Sequence, residues 1–332
     1  MKITVMSNAR RALLGCLLAG AAALLAFSRQ TPRKKLWRTL GIAGDIAGQE
    51  VLEAEDDFCR APLYWPLVLP QANLNCSRLR MNLEGKPAGA YYLVAKQPAD
   101  QTPERRPAVV ILHGHLSQAS DLVGTTTSTM VWPVARLMAH HGFAVLAPQD
   151  RWDSDYPLKE SRHALRLLVT GKALAGERTA DALRWIRYLK ERPDIDPKRI
   201  GVMGWSMGGD IALYASALEP GVKMVYLSST MSSFYDLTAV GSALQTADNY
   251  VPSVLKNFTD KVAIAALIYP RPFLIEHGTN DEVRPFERAD HDAHYLIEIY
   301  GSKAPSRLYF LSHQFSHKFY GGRAVLWFQQ WL

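Results

Sequence analysis

The sequence predicts an α/β fold in which a mainly parallel sheet is covered by helices on both faces. Two observations carry this prediction. From about Ala90 onward, short apolar runs typical of buried strands alternate with longer runs of helical spacing. Within that alternation, the apolar run 199–203 passes through a glycine-rich turn at 204–209 into a helix-like run at 210–215.

The elements follow in a regular order along the chain. Strands are expected over 91–95, 109–112 and 143–147, with a helix over 131–141 between the last two. Residues 179–191 have apolar side chains at helical spacing. The later strands are expected at 200–203, at 224–227, from Pro272 onward and at 308–311, and a final amphipathic run ends at Leu332.

The chain divides into three parts. Residues 1–28 are expected to be a signal peptide or membrane anchor. Residues 29–87 are expected to be an N-terminal lead segment, interrupted by Pro62, Pro66 and Pro70. Residues 88–332 are expected to form one large α/β domain, the catalytic domain. Residues 231–266 do not fit the alternation of strands and helices, which predicts a small cap insertion there. A surface excursion without contact to substrate is the alternative.

The N-terminus indicates export. Arg10 and Arg11 precede sixteen uncharged residues, 12–27. As a helix these would span about 24 Å, which is short of the ~30 Å hydrocarbon core of a bilayer. A basic stretch followed by an apolar core of this length is typical of an export signal, cleaved near Ser28. We therefore expect the protein to be exported, periplasmic or secreted, or else anchored to a membrane by residues 12–27.

The net charge does not indicate nucleic-acid binding. The formal charge is +7, but residues 1–28 contain Lys2, Arg10, Arg11 and no acidic residue, so the remainder carries +4. Apart from Arg33, Lys34 and Lys35, the other basic residues are scattered and form no stripe with interleaved aromatics, which argues against a nucleic-acid partner. Of the three cysteines, Cys16 lies in the apolar segment. Cys59 and Cys76 are either a disulfide pair, as export would allow, or two unpaired buried thiols.

The glycine-rich turn has the form Gly-x-Ser-x-Gly, with Ser206 at its centre. Between a strand and a helix, this is the nucleophile elbow of an α/β-hydrolase. The turn is so tight that side chains at Gly204 and Gly208 would collide. It leaves the Ser206 hydroxyl exposed at the positive end of the following helix.

Asp281 and His317 complete the order Ser, Asp, His that this fold uses. We predict that His317 is the base for Ser206 and that Asp281 orients it. Two rival acids lie nearby, Glu282 beside Asp281 and Glu276 within the preceding strand. The backbone N–H groups of Met207 and His115 are the predicted oxyanion donors, with Leu116 as the alternative to His115.

From about Ala88 to Leu332 the chain resembles the dienelactone hydrolase and acetyl xylan esterase-like group of α/β-hydrolases. The resemblance is carried by these segments: 112–115 (LHGH), 194–201 (DIDPKRIG), 204–209 (GWSMGG), 249–252 (NYVP), 269–272 (YPRP), 278–281 (GTND) and 317–321 (HKFYG). It favours His317 over His313, because only His317 is followed by the Phe319 and Gly321 of the family pattern.

These residues predict a serine carboxylic-ester hydrolase that forms an acyl-enzyme and acts on a small-molecule ester. The preference for an acetyl-type acyl group is implied by the resemblance. The alternatives are a serine peptidase or a lipase on the same fold, and a non-enzymatic binding protein on a hydrolase scaffold.

The sequence predicts no cofactor and no metal. His313 and His317 are four residues apart, and 290–294 contains two aspartates and two histidines. The first pair is expected in a loop without an adjacent glutamate, and the second group is better explained as a solvated helix face.

Overall fold

The structure, a computed structural model, describes residues 31–60, 73–83, 86–97, 104–126, 128, 130–152, 158–239 and 247–332. The predicted signal or anchor at 1–28 lies outside these residues. In the part of the chain that is described, no helix has the length and apolar content that a membrane crossing requires.

Nine strands form one sheet in the order β1-β2-β3-β5-β4-β6-β7-β8-β9. The strands are β1 Val51–Glu55, β2 Leu74–Met81, β3 Ala88–Ala95, β4 Arg106–Leu112, β5 Ala144–Pro148, β6 Ile195–Trp205, β7 Met224–Ser228, β8 Phe273–Gly278 and β9 Leu308–His313. Strands β4 to β9 pair in parallel, and β1 to β3 add an antiparallel edge. The predicted α/β-hydrolase architecture, a mainly parallel sheet between helices, is confirmed.

Twelve α-helices lie within the described residues. They are α1 Pro32–Thr39, α2 Ala119–Leu122, α3 Val134–His140, α4 Leu158–Val169, α5 Leu174–Glu191, α6 Met207–Leu218, α7 Phe234–Ala239, α8 Val254–Asn257, α9 Lys261–Ala265, α10 Phe286–Tyr300, α11 Ala304–Arg307 and α12 Ala324–Trp331. The region 231–266 contains α7, α8 and α9.

Two hydrophobic clusters cover the two faces of the sheet. Along β4, Val110 belongs to one cluster and its neighbours Val109 and Ile111 to the other. This alternation follows from the two-residue period of a strand and explains why the central strands are apolar throughout. The carboxyl ends of these parallel strands meet at one edge, where the loops carry the polar side chains described below.

The described residues of the segment 29–87 contribute to the same sheet and core. Strand β2 pairs antiparallel with β3, and β1 in turn pairs antiparallel with β2 at the edge of the sheet. Helix α1 buries Leu36, and Leu40, the residue that follows the helix, is also buried. The end of α1 packs so closely on α5 that a Cβ at Gly176 would lie 1.9 Å from the carbonyl oxygen of Leu40. Cys59 and Cys76 form a disulfide that ties β2 to the turn after β1.

Candidate active site

The turn between β6 and α6 holds Ser206 in an unusual backbone conformation, with φ 54° and ψ −119°. A non-glycine residue at positive φ is strained, and such strain concentrates at functional sites. The flanking glycines make the turn possible. A Cβ at Gly204 would lie 2.3 Å from the carbonyl oxygen of Gly208, and one at Gly208 would lie 2.2 Å from that of His113.

The structure brings Ser206, His317 and Asp281 together. His317 Nε2 lies 2.8 Å from Ser206 Oγ, and His317 Nδ1 lies 2.9 and 2.8 Å from the two carboxylate oxygens of Asp281. All three residues are buried, with 8%, 8% and 6% of the surface of Ser206, His317 and Asp281 exposed, so Ser206 is less exposed than the turn motif predicts. Ser206 can therefore give its proton to an imidazole whose other nitrogen is held by a carboxylate.

The rival residues lie elsewhere. His313 Nδ1 accepts from the backbone N–H of Phe315, and its Nε2 is 4.0 Å from Glu276. Glu282 is exposed. The histidines at 291 and 294 are also exposed in their side chains, and no group of three metal-ligand side chains forms among the described residues.

Asp281 is held as a carboxylate by its surroundings. Its Oδ1 accepts from the backbone N–H groups of Val283 and Arg284 at 3.0 and 2.8 Å. Burial alone would raise the pKa of Asp281, but the His317 hydrogen bond and the neighbouring charges bring the pKa below its ordinary value. Beside it, burial lowers the pKa of His277 to about 4, so this ring is neutral at pH 7 and donates from Nε2 to the Arg284 carbonyl.

A buried carboxylate under the site, Glu276, anchors the loop that carries His317. It accepts from the hydroxyls of Tyr226 and Ser228, both at 2.6 Å. It also accepts from the backbone N–H groups of Tyr320 and Gly321 at 3.2 and 3.1 Å. Burial raises the pKa of Glu276 despite these donors. The sequence offered Glu276 only as a rival acid, and nothing local to it indicates this anchoring role.

A buried network of ion pairs links the loop that carries Asp281 to helix α6, which begins directly after Ser206. The Arg284 guanidinium pairs with Asp210 at 2.7 Å and donates to the Thr230 carbonyl at 2.7 Å. The Lys261 ammonium, from α9, lies 2.6 Å from the other oxygen of Asp210. In the sequence, Asp210 lies 74 residues from Arg284 and 51 residues from Lys261. No local motif therefore indicates this network.

The loop after β4 lies against the elbow. The His113 ring donates from Nδ1 to the Gly114 carbonyl at 2.9 Å, and its Nε2 accepts from the backbone N–H of Asp150 at 3.1 Å. Leu116 has a positive φ of 62°. A Cβ at Gly114 would lie 2.4 Å from the Trp205 ring, which in turn packs on the His317 ring with centroids 5.2 Å apart.

Met207 is the first residue of α6. Its N–H therefore has no carbonyl four residues earlier within the helix to receive it. His115 lies on the loop after β4, whose preceding residues touch the elbow at Gly208. These are the two positions that the sequence assigns to oxyanion donors.

Comparison with known proteins identifies the family of the chain. The family model described as the dienelactone hydrolase family matches residues 92–297. The Bacillus subtilis (strain 168) protein YtaP is 30% identical over 266 residues, which are 76% of this chain and 87% of YtaP.

Two solved structures are similar in fold. The Bacteroides fragilis NCTC 9343 protein BF1801 has a TM-score of 0.66 at 15% identity, over 86% of this chain and 77% of that one. The acetyl xylan esterase from Paenibacillus sp. R4 has a TM-score of 0.60 at 15% identity, over 90% of this chain and 92% of that one.

Proposed function

The chain belongs to the dienelactone hydrolase family and is a hydrolase, and we propose that it cleaves a small carboxylic ester with Ser206 as nucleophile. The observation that carries the proposal is the pair of hydrogen-bond contacts made by one imidazole. Its Nε2 lies 2.8 Å from the Ser206 hydroxyl, and its Nδ1 lies 2.8 Å from the Asp281 carboxylate. An imidazole held in this way is a base in the tautomer that accepts the serine proton.

The steps follow from these contacts. Ser206 Oγ attacks the ester carbonyl while His317 takes its proton, and Asp281 stabilises the imidazolium that forms. The oxyanion is held by the backbone N–H groups of Met207 and His115. His317 returns the proton to the leaving alcohol, and water then hydrolyses the acyl-enzyme by the same route.

The acyl group is proposed to be small, of acetyl type. The similarity in fold to the Paenibacillus acetyl xylan esterase favours this choice. A lipase would prefer a long chain, and a peptidase would prefer an amide. The proposed substrate is instead a small-molecule ester, and no nucleic acid is expected as a partner.

The test is hydrolysis of p-nitrophenyl acetate, butyrate and palmitate by the full chain and by Ser206→Ala. Ser216→Ala is the matched control, because it also removes the hydroxyl of a buried serine. Ser216 lies within α6, and Ser206 directly precedes this helix. We expect acetate turnover that is lost in Ser206→Ala and kept in Ser216→Ala. A preference for palmitate would indicate a lipase. A folded protein that cleaves no ester would contradict the proposal and favour a peptidase or a binding protein.

We also propose that the protein is exported or membrane-anchored through its N-terminal segment. The disulfide between Cys59 and Cys76 favours an oxidising compartment. Fractionation of cells that express the full chain should find it outside the cytoplasm, and deletion of residues 1–28 should retain it inside. Equal distribution of the two forms would contradict export.

A further inference from the structure

Helix α4 buries a carboxylate that the proposed mechanism does not use. Glu160 is fully buried, and its Oε1 accepts from Arg178 Nη2 on α5 at 2.5 Å. Arg178 has a side-chain exposure of 1%. Burial alone would raise the pKa of Glu160, but the contacts with His115 and Arg178 bring the pKa below its ordinary value, so the group is a carboxylate.

The pair touches both residues assigned to the oxyanion hole. Glu160 Oε2 lies 3.5 Å from Nε2 of His115. On the other side, Arg178 Nη1 lies 2.9 Å from Sδ of Met207. Arg178 also donates from Nε and Nη2 to the Arg151 carbonyl, at 3.2 and 3.1 Å, which holds the guanidinium in one orientation.

A buried ion pair contributes little net stability, because the cost of desolvating the two charges offsets most of the attraction between them. An apolar pair of similar volume would fill the same space. The position of this pair has a consequence for chemistry, since oxyanion donors act only when they point at the developing charge. Contacts at the side chains of His115 and Met207 restrain the backbone on which those donors lie.

We propose that Glu160 and Arg178 are positioning residues that hold the His115 and Met207 amides in the geometry of the oxyanion hole. The proposal rests on the ester hydrolysis proposed above. The pair does not touch the reacting atoms; it acts through the two side chains that it contacts.

The test compares Glu160→Gln with the wild type on p-nitrophenyl acetate. Glutamine keeps the shape of the side chain but removes the charge. Loss of one oxyanion donor costs about 10²- to 10³-fold in kcat, so displacement of the donors should cost about 10- to 100-fold, with KM within about twofold. Glu177→Gln is the matched control, since Glu177 also links α5 to α4 through a histidine, His163 at 2.8 Å, that is not assigned to the oxyanion hole.

A second measurement separates positioning from stability. A trifluoromethyl ketone inhibitor forms an adduct with Ser206, and this adduct carries an oxyanion. For Glu160→Gln, the inhibition constant should therefore rise by the same factor as kcat falls. A structural role would lower the melting temperature but leave kcat and this inhibition constant unchanged, and that result would overturn the proposal.

Because Glu160→Gln removes the ionic contact between Glu160 and Arg178 but keeps the buried Arg178 charge, the double variant Glu160→Gln/Arg178→Met is made as well. It removes both charges at similar volume and is expected to fold. Its kcat should stay at least 10-fold below that of the wild type, and wild-type kcat in the folded double variant would overturn the proposal.

The two proposals fail in different ways. Absence of Ser206-dependent ester turnover in the wild type would contradict ester hydrolysis. The positioning role would then be decided by the rate at which a fluorophosphonate labels Ser206, since that reaction also develops charge in the oxyanion hole. Slower labelling of Glu160→Gln would support the role, and an unchanged rate would overturn it.

Discussion

The imidazole of His317 lies within hydrogen-bond distance of both carboxylate oxygens of Asp281, at 2.9 and 2.8 Å from Nδ1. The backbone N–H groups of Val283 and Arg284 donate to Oδ1 of the same carboxylate. In the proposed mechanism this carboxylate orients the ring and balances the charge of the imidazolium. This relationship gives a prediction for activity and one for stability.

Asp281→Asn should lower kcat by about 10³- to 10⁴-fold, because the amide favours the wrong tautomer of His317. The pKa of Asp281 is lowered in the folded state, so its stabilising effect is present above the unfolded pKa of about 3.9 and is lost as the pH falls through the folded value. Urea unfolding should therefore show a larger deficit for Asp281→Asn at pH 7 than at pH 3. Equal deficits at both pH values would contradict this prediction.

Glu276→Gln should weaken the loop that carries His317. Glutamine has one acceptor oxygen where the carboxylate meets four donors, so at least one buried N–H or O–H loses its partner. We expect the free energy of unfolding to fall by about 1–3 kcal/mol. We expect kcat to fall about 10-fold, less than in Asp281→Asn, because the base and its partner remain.

Glu282→Gln is the control for both substitutions, since Glu282 is exposed and adjacent to Asp281 in sequence. It should leave kcat and stability unchanged. If Glu282→Gln lowered kcat as much as Asp281→Asn, the assignment of Asp281 as the acid of the triad would be wrong. Circular dichroism during urea unfolding and steady-state turnover give the two readouts.

Gly114→Ala should damage the site through Trp205. The new methyl group would lie 2.4 Å from the Trp205 ring, which is buried and packs on the His317 ring, so the tryptophan cannot move without displacing His317. We expect a loss of about 1–3 kcal/mol in stability and at least about 10-fold in kcat. Gly48→Ala is the control, because its Cβ would have only ordinary contacts. Wild-type turnover in Gly114→Ala would show that the ring has room to move.

The sequence predicts those parts of the molecule that have local patterns. The central strands are apolar and periodic, and the elbow needs glycines at defined spacing around Ser206. By contrast, Glu276 and Arg284 find their partners in elements that are distant in the sequence, and Glu160 finds Arg178 through the packing of α4 on α5. Strand β2 likewise depends on pairing with β3 and strand β1 on pairing with β2, and the prolines between β1 and β2 obscure the pattern. Long-range pairing of this kind leaves no signal in a sequence window.

Lys261 gives a prediction at alkaline pH. Burial and the nearby Arg284 charge lower the pKa of Lys261 to about 8, while the unfolded value is about 10.4. Between these values the unfolded chain binds more protons than the folded one, so the lysine makes the free energy of unfolding rise with pH. Lys261→Met lacks this contribution and keeps the Arg284 partner of Asp210.

The stability of the wild type relative to Lys261→Met should therefore increase between pH 7.5 and pH 9.5, by on the order of 1 kcal/mol. Urea unfolding at the two pH values measures it. Lys256→Met is the matched control, because Lys256 is an exposed lysine five residues earlier and should show no such change. A constant or shrinking difference would mean that Lys261 keeps its proton throughout this range. In that case the ion pair with Asp210 outweighs the cost of burial.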